Sequence, residues 1–228
     1  MQAVILAAGR GTRLAPLTDT TPKPLIHVQG RPILEHIIKA LPMEIDEVII
    51  VIGYRGDAIK NYFGEYYDQR NITYVEQVEK RGTYAALRAA KHCLHRGPFL
   101  VMGADDIQDR NALHEMIVLP LAFGVHAKKL PSRNYLIIDI QNGYVRGIRR
   151  PTEEEFEVPQ PLATGTYVLD EHFWKYDPVE VRGGEYGLPQ TIQQMFRDFD
   201  IHSVDMPYWV QINSHQELAE AEQKYVKA

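Results

Sequence analysis

The run Glu47-Val48-Ile49-Ile50-Val51-Ile52 decides the fold class. Its apolar β-branched residues follow one another without polar alternation, which describes a strand buried on both faces, as in a parallel sheet covered by helices. Upstream, Pro32 stands at the first turn of a helix whose apolar positions Ile33, Leu34, Ile37, Ile38 and Leu41 recur at helical spacing, and Pro42 stops it. Gln2–Ala7 is a short β-type run before that helix. Downstream, Asp57–Tyr66 reads as a helix, Ile72–Val75 as a strand, Thr83–Leu94 as a helix and Phe99–Met102 as a core strand. This alternation predicts a doubly wound α/β fold. Right-handed crossovers align the strand C-termini, so the loops at Gly9, Gly53, Glu76 and Gly103 open on one edge, the usual ligand edge.

After about residue 120 the texture changes to paired strands. Leu136–Ile140, the turn Gln141-Asn142-Gly143 and Tyr144–Ile148 predict a hairpin. A strand at Leu162–Leu169, a helix at Pro189–Asp198 and a strand at Ile201–Val204 follow, and Ser214-His215-Gln216-Glu217 forms a capping box that opens the last helix. This half implies a mixed sheet. With no internal repeat and no linker, residues 1–228 read as one domain.

The bulk properties narrow the function. A formal charge of −5 and a single cysteine characterise the 228 residues. That charge gives no basic field for nucleic acid or an anionic membrane, although local cations and backbone N–H groups still suit small phosphorylated ligands. Cys93 has no partner for an internal disulfide and reads as a structural residue on a buried helix face. No apolar run reaches membrane-spanning length and the N-terminus lacks a leader pattern, so a cytoplasmic protein is expected.

The loop of residues 9–24 is long for a connector, which points to function. Its opening, Gly9-Arg10-Gly11-Thr12-Arg13, follows a strand and has the composition that lets backbone N–H groups approach a polyphosphate, with Arg13 as a bidentate donor. A Walker loop fails because the terminal Gly-Lys-Ser/Thr is missing. A dinucleotide fingerprint fails too, since Leu14 replaces the third glycine and the second strand ends Ile52-Gly53-Tyr54 without an acidic residue.

The whole segment LAAGRGTRLAPLTDTTPKPL, Leu6 to Leu25, resembles the signature of sugar-1-phosphate nucleotidyltransferases, L-A-x-G-x-G-T-R-L followed by P-K-P-L. The resemblance implies a Rossmann-like, GT-A-like mixed sheet in three α/β/α layers. It divides the chain into a nucleotide-binding half, about 1–120, and a sugar-phosphate-binding half, about 121–228. It also implies nucleotide contacts at Leu6, Ala7, Ala8, Gly9, Gly11, Thr12 and Arg13, with Lys23 on the phosphates at the reacting centre. Glu76-Gln77 followed by Arg81-Gly82-Thr83 is similar to the base-reading element, placing Gln77, Gly82 and Thr83 against a pyrimidine, uridine ahead of thymidine, with purine use left open.

In Phe99–Asp109 (FLVMGADDIQD), Asp105 matches the aspartate expected to hold Mg²⁺, and Asp106 takes that place if the loop shifts by one. A common second ligand lies in W-x-D-x-x-T, where this chain has Trp209-Val210-Gln211-Ile212-Asn213-Ser214. Relatives acting on N-acetylglucosamine 1-phosphate carry asparagine at the place of Asn213, which makes Asn213 the second candidate ligand.

On the acceptor side, Thr164-Gly165-Thr166-Tyr167 resembles the T-G-x-Y strand whose glycine lies against the sugar. Arg150 replaces a lysine expected on the acceptor phosphate, Arg149 replaces a carboxylate that contacts sugar hydroxyls, and Glu185 sits in a sugar-contacting loop. His36, His92, His95 and His172 read as solvated or helix-surface residues with no zinc set.

The implied partners are a nucleoside triphosphate and a sugar 1-phosphate, without nucleic acid or membrane, and a homo-oligomer remains open. Two other readings stay open as well: a cytidylyltransferase for phosphocholine or another alcohol phosphate, and a non-catalytic nucleotide or sugar-nucleotide binder. Relatives often append a left-handed β-helix; the chain reaches Ala228 without hexapeptide repeats, which predicts a single-function transferase or a naturally short member.

Overall fold

The computed structural model describes residues 1–79, 81–130 and 135–224. Ten strands form one sheet: β1 (Gln2–Ala7), β2 (Glu47–Ile52), β3 (Tyr66–Tyr67), β4 (Arg70–Glu76), β5 (Phe99–Gly103), β6 (Ala122–Lys128), β7 (Ile137–Gln141), β8 (Tyr144–Arg149), β9 (Gln160–Leu169) and β10 (His202–Asp205). Their order in space is β7-β8-β10-β6-β9-β5-β1-β2-β4-β3. Strands β5, β1, β2 and β4 run parallel, so their C-terminal ends share one edge. Strand β9 runs antiparallel between β5 and β6, β10 pairs parallel with β6, and β7 and β8 form the predicted hairpin. The sheet is mixed and continuous through both halves of the chain.

Helices α1 (Leu17–Thr20), α2 (Ile33–Ala40), α3 (Gly56–Phe63), α4 (Gly82–Ala90), α5 (Arg110–Ile117), α6 (Leu188–Ile192) and α7 (His215–Lys224) complete the fold. Side chains of α2, α3, α5 and α7 pack with Val48, Ile50 and Ile52 on one face, while α4 and α6 pack with Ile49 and Val51 on the other. Strand β2 is therefore apolar at successive positions because each face has its own core. The hairpin turn carries Asn142 at φ 54° and Gly143 at φ 79°, the positive pair that a two-residue connection between twisted strands requires.

Element ends differ from the pattern-based expectation. The helix expected at Asp57–Tyr66 is α3, which stops at Phe63 because Gly64 turns out at φ 64°. The helix expected at Thr83–Leu94 is α4 followed by a 3₁₀ turn at Lys91–Cys93. Likewise the Pro189–Asp198 helix is α6 followed by a 3₁₀ stretch, Gln193–Arg197. Pro32 caps α2 instead of occupying its first turn. The opening loop is not irregular, since Thr12–Leu14, α1 and Lys23–Leu25 are successive helical turns too short to print a periodicity.

Two single-residue readings are corrected. Cys93 lies in the 3₁₀ turn, only partly buried at the margin of the core, with burial pushing its thiol pKa up. His36 is buried, with its Nε2 atom 2.8 Å from the carbonyl of Val28. Its partner lies outside α2, so the burial comes from what packs over the helix.

Arg70 ties β4 to the end of α2: its guanidinium donates to the carbonyls of Leu41 at 2.8 Å and Asp68 at 2.6 Å, and to the Asp68 carboxylate at 2.6 Å. The Arg70 side chain is 2% exposed, so its guanidinium has little water to turn to if these bonds are lost. Arg70→Met is expected to destabilise the protein by about 3 kcal/mol, read as a lower urea midpoint at unchanged slope.

Candidate active site

A cleft of about 810 Å³ opens at the C-terminal edge of β1 and β5, the size of a small-molecule site. Strand β1 delivers the chain into the glycine loop at this edge. Gly11 has φ 67°, and a Cβ there would stand 2.9 Å from the Lys23 Cβ, so glycine lets the loop fold back on its own far end. The Leu14 N–H and the Thr18 hydroxyl both donate to the Gly11 carbonyl, at 2.9 Å and 3.0 Å. The resulting turn buries Leu14 and leaves Arg13 on the surface.

The functional groups converge at Lys23. Its ammonium, mostly buried, donates to Asp105 Oδ2 at 2.6 Å and to Asn213 Oδ1 at 2.8 Å, partners 82 and 190 residues away. Arg13 also donates to Asn213 Oδ1, at 3.1 Å. Asn213 is held by the start of α7: its N–H donates to Glu217 Oε2 at 2.7 Å, and the Glu217 N–H donates to Ser214 Oγ at 3.2 Å. The second half of the expected capping box thus reaches Asn213 rather than Ser214 and orients a site residue.

The two neighbouring aspartates have unlike surroundings. Asp105 meets Lys23, whereas Asp106 accepts from the Trp209 indole at 3.1 Å and keeps its other oxygen sealed from solvent with no partner. Burial, reinforced by the charge of Asp105, raises the Asp106 pKa well above the usual carboxylate range. Part of the Asp106 residue borders the cleft, but its carboxyl is turned inward.

Asp105 and Asn213 share one cation, so their oxygens already meet at a point, and oxygen donors of this kind suit Mg²⁺, which fills its remaining positions with water and phosphate. Among the described residues, no group of three or more histidine, cysteine or acidic side chains gathers as a self-sufficient metal cage. The donor set therefore fits a metal shared with a phosphorylated ligand.

At the end of β4, the Gln77 amide nitrogen donates to the carbonyls of Glu79 at 2.9 Å and Gly82 at 3.2 Å. Both bonds use the amide nitrogen, and Gln77 is among the residues that line the cleft. Gly82 is at φ 86°, and a Cβ would stand 2.6 Å from the Tyr186 carbonyl oxygen. The Thr83 hydroxyl accepts the Leu188 N–H at 3.0 Å, so it supports the opposite loop.

Across the cleft, Gly165 sits in a bulge of β9 at φ 76° with open space where its Cβ would be. Glu185 borders the same space. Arg150, expected on the acceptor phosphate, is exposed and is not among the described residues lining the cleft. Arg149 is engaged elsewhere: it meets Glu155 through two bonds of 2.8 Å and 2.5 Å and Asp139 at 3.0 Å. Leu6, Ala7, Ala8, Gly9, Gly11, Thr12 and Arg13 line the cleft with Gln77, Gly82 and Thr83. Asn213 reaches it through Lys23 and Arg13.

Pattern reading missed Tyr135, whose hydroxyl donates to Gln211 Oε1 at 2.8 Å on the cleft wall. Nothing in its local sequence marks it. Glu217 carried a signal, the capping box, but not its contact with Asn213.

A parallel sheet edge carrying a glycine-rich loop, two converging cations and a carboxylate–amide oxygen pair defines a phosphate-handling α/β protein. The sequence profile of the Nucleotidyl transferase family matches residues 2–228, and the chain belongs to that family. It is 28% identical over 235 aligned residues to the bifunctional protein GlmU of Methanococcus vannielii, covering 100% of this chain and 55% of that protein. The chain thus spans about half the length of the GlmU relatives it matches. Among solved structures, a UDP-glucose pyrophosphorylase complexed with UDP-glucose superposes with a TM-score of 0.83 at 18% identity, covering 97% of each chain. A putative glucose-1-phosphate thymidylyltransferase from Bacillus anthracis gives a TM-score of 0.82 at 22% identity, covering 98% of this chain and 94% of that one. These two likenesses establish the fold.

The Arg149 clamp holds the Glu155 carboxyl down to about 2. Its folded-state pKa lies below the usual 4.5, so the contribution is present above that value and is lost only as pH falls through about 2. An NMR titration of the Glu155 side-chain carboxyl should show its midpoint near 2, and Arg149→Met should return it toward the usual value.

Proposed function

We propose that the chain transfers a nucleotidyl group from a nucleoside triphosphate to a sugar 1-phosphate, with release of pyrophosphate. The observation that carries this reading is the meeting of Arg13, Lys23, Asp105 and Asn213 at the mouth of the glycine loop. An oxygen of the sugar phosphate attacks the α-phosphorus and pyrophosphate leaves in line, so no protein nucleophile is required. Arg13 neutralises the departing pyrophosphate and Lys23 the phosphates at the reacting centre, while backbone N–H groups of the glycine loop align the triphosphate. Asp105 and Asn213 would hold Mg²⁺, which when bound neutralises phosphate charge.

The base reading rests on Gln77. Both amide hydrogens point at backbone carbonyls, so its oxygen meets the base as an acceptor. That favours the N3–H of uracil or thymine over the bare N3 of cytosine. The similar glucose-1-phosphate enzyme AglF of Haloferax volcanii, 38% identical over 112 residues covering 49% of this chain and 46% of that protein, is described as using UTP. Gly165 and Glu185 are assigned to the sugar, and Arg150 is withdrawn from the acceptor phosphate because it stands outside the cleft. No helix among the described residues is long and apolar enough to cross a membrane.

A pyrophosphate-release screen crossing five nucleoside triphosphates with several sugar 1-phosphates and phosphocholine tests the reading. Turnover with a sugar phosphate and UTP or dTTP is expected; triphosphate binding without pyrophosphate from any acceptor would replace the enzyme by a nucleotide-binding protein. Asp105→Ala is expected to lower kcat by about a hundredfold or more, and Arg13→Ala by a comparable factor. Turnover within twofold of the parent in Asp105→Ala would remove that residue from the centre. Gln77→Ala should erode the UTP-over-CTP preference in kcat/KM by about tenfold, in a direct competition assay.

A further inference from the structure

The acceptor wall of the cleft includes a small hairpin, Val179–Val181 paired with Glu185–Gly187, that lies apart from the main sheet. Two short strands of this kind have little stability alone and need an anchor. Their anchor is the segment that enters α4, on the base side of the cleft. The Tyr186 N–H donates to the Arg81 carbonyl at 2.7 Å, and the Arg81 Nε donates to the Gly184 carbonyl at 3.2 Å. The Arg81 guanidinium also lies over the Tyr186 ring, 4.5 Å from its centre. Gly82 follows with no room for a Cβ against the Tyr186 carbonyl, and Leu188 is held by Thr83.

We propose that Arg81 is a positioning residue for the acceptor, holding the Val179–Gly187 hairpin on the base side of the cleft so that Glu185 stays at the wall. This inference rests on the transferase reading and adds a link between the two substrate sides. Arg81 is exposed and does not line the cleft among the described residues, so it acts through Tyr186 and Gly184 rather than by touching substrate. The hairpin turn, with Gly183 at φ 87° and Gly184 at φ 74°, supplies no stiffness from side chains of its own. Removing the guanidinium deletes a cation–π contact and a hydrogen bond together, while leaving the backbone bond from Tyr186 in place.

The test compares Arg81→Leu with the parent protein in two measurements. In steady-state kinetics, KM for the sugar phosphate is expected to rise by about five- to tenfold, with kcat and KM for the triphosphate within twofold; tenfold is about 1.4 kcal/mol. In limited trypsin digestion of the folded protein, cleavage after exposed Arg182 in the hairpin turn is expected to accelerate by about fivefold. Unchanged cleavage at Arg182, or an equal rise in both KM values, overturns the proposal. If the parent protein turns over no acceptor, the transferase reading fails, and the cleavage rate still decides whether Arg81 anchors the hairpin.

Discussion

The contact of the Lys23 ammonium with Asp105 and Asn213 is the interaction on which the rest of the site depends. A mostly buried ammonium without partners would be costly, so its position is stable only while a carboxylate and an amide oxygen face it. Those partners come from the loop after β5 and from the start of α7. The opening loop, the middle of the chain and its last helix are thereby joined at one point. Gly11 permits the loop to fold back, Leu14 roots it in the core, and Glu217 orients Asn213.

The two sides of the cleft are built on different principles. The side proposed for the base stands on parallel strands whose C-terminal ends are aligned by their crossovers, so Leu6 to Gly9 and Gln77 share an edge. The side proposed for the acceptor rests on the antiparallel strand β9, its bulge at Gly165, and a hairpin that leans on the entry to α4. The Arg149 clamp belongs to a third arrangement, outside the cleft, where Glu155 and Asp139 absorb its charge.

Much of this was legible in residue patterns. Glu47–Ile52 announced a doubly covered strand because both faces are buried, and Asn142-Gly143 announced its turn because few other residues accept positive φ. Helix ends were less legible, since the hydrophobic spacing that marks α4 continues through a 3₁₀ turn. The helical turns of the opening loop were invisible because three or four residues make no period. His36 was misplaced because its burial depends on what packs over α2. Arg150 was assigned to the acceptor by its place in a motif, and in the fold it follows the end of β8, exposed and not among the described residues that line the cleft.

By itself, the sequence determined the α/β layering, the glycine loop and its two cations, because these follow from local conformational limits and periodic burial. Only the tertiary structure decided which aspartate meets Lys23, that Asn213 joins it, that the Gln77 amide nitrogen turns to backbone carbonyls, and that the Val179–Gly187 hairpin bonds to Arg81. Each of those facts is a contact between residues distant in the chain, set by how whole elements pack.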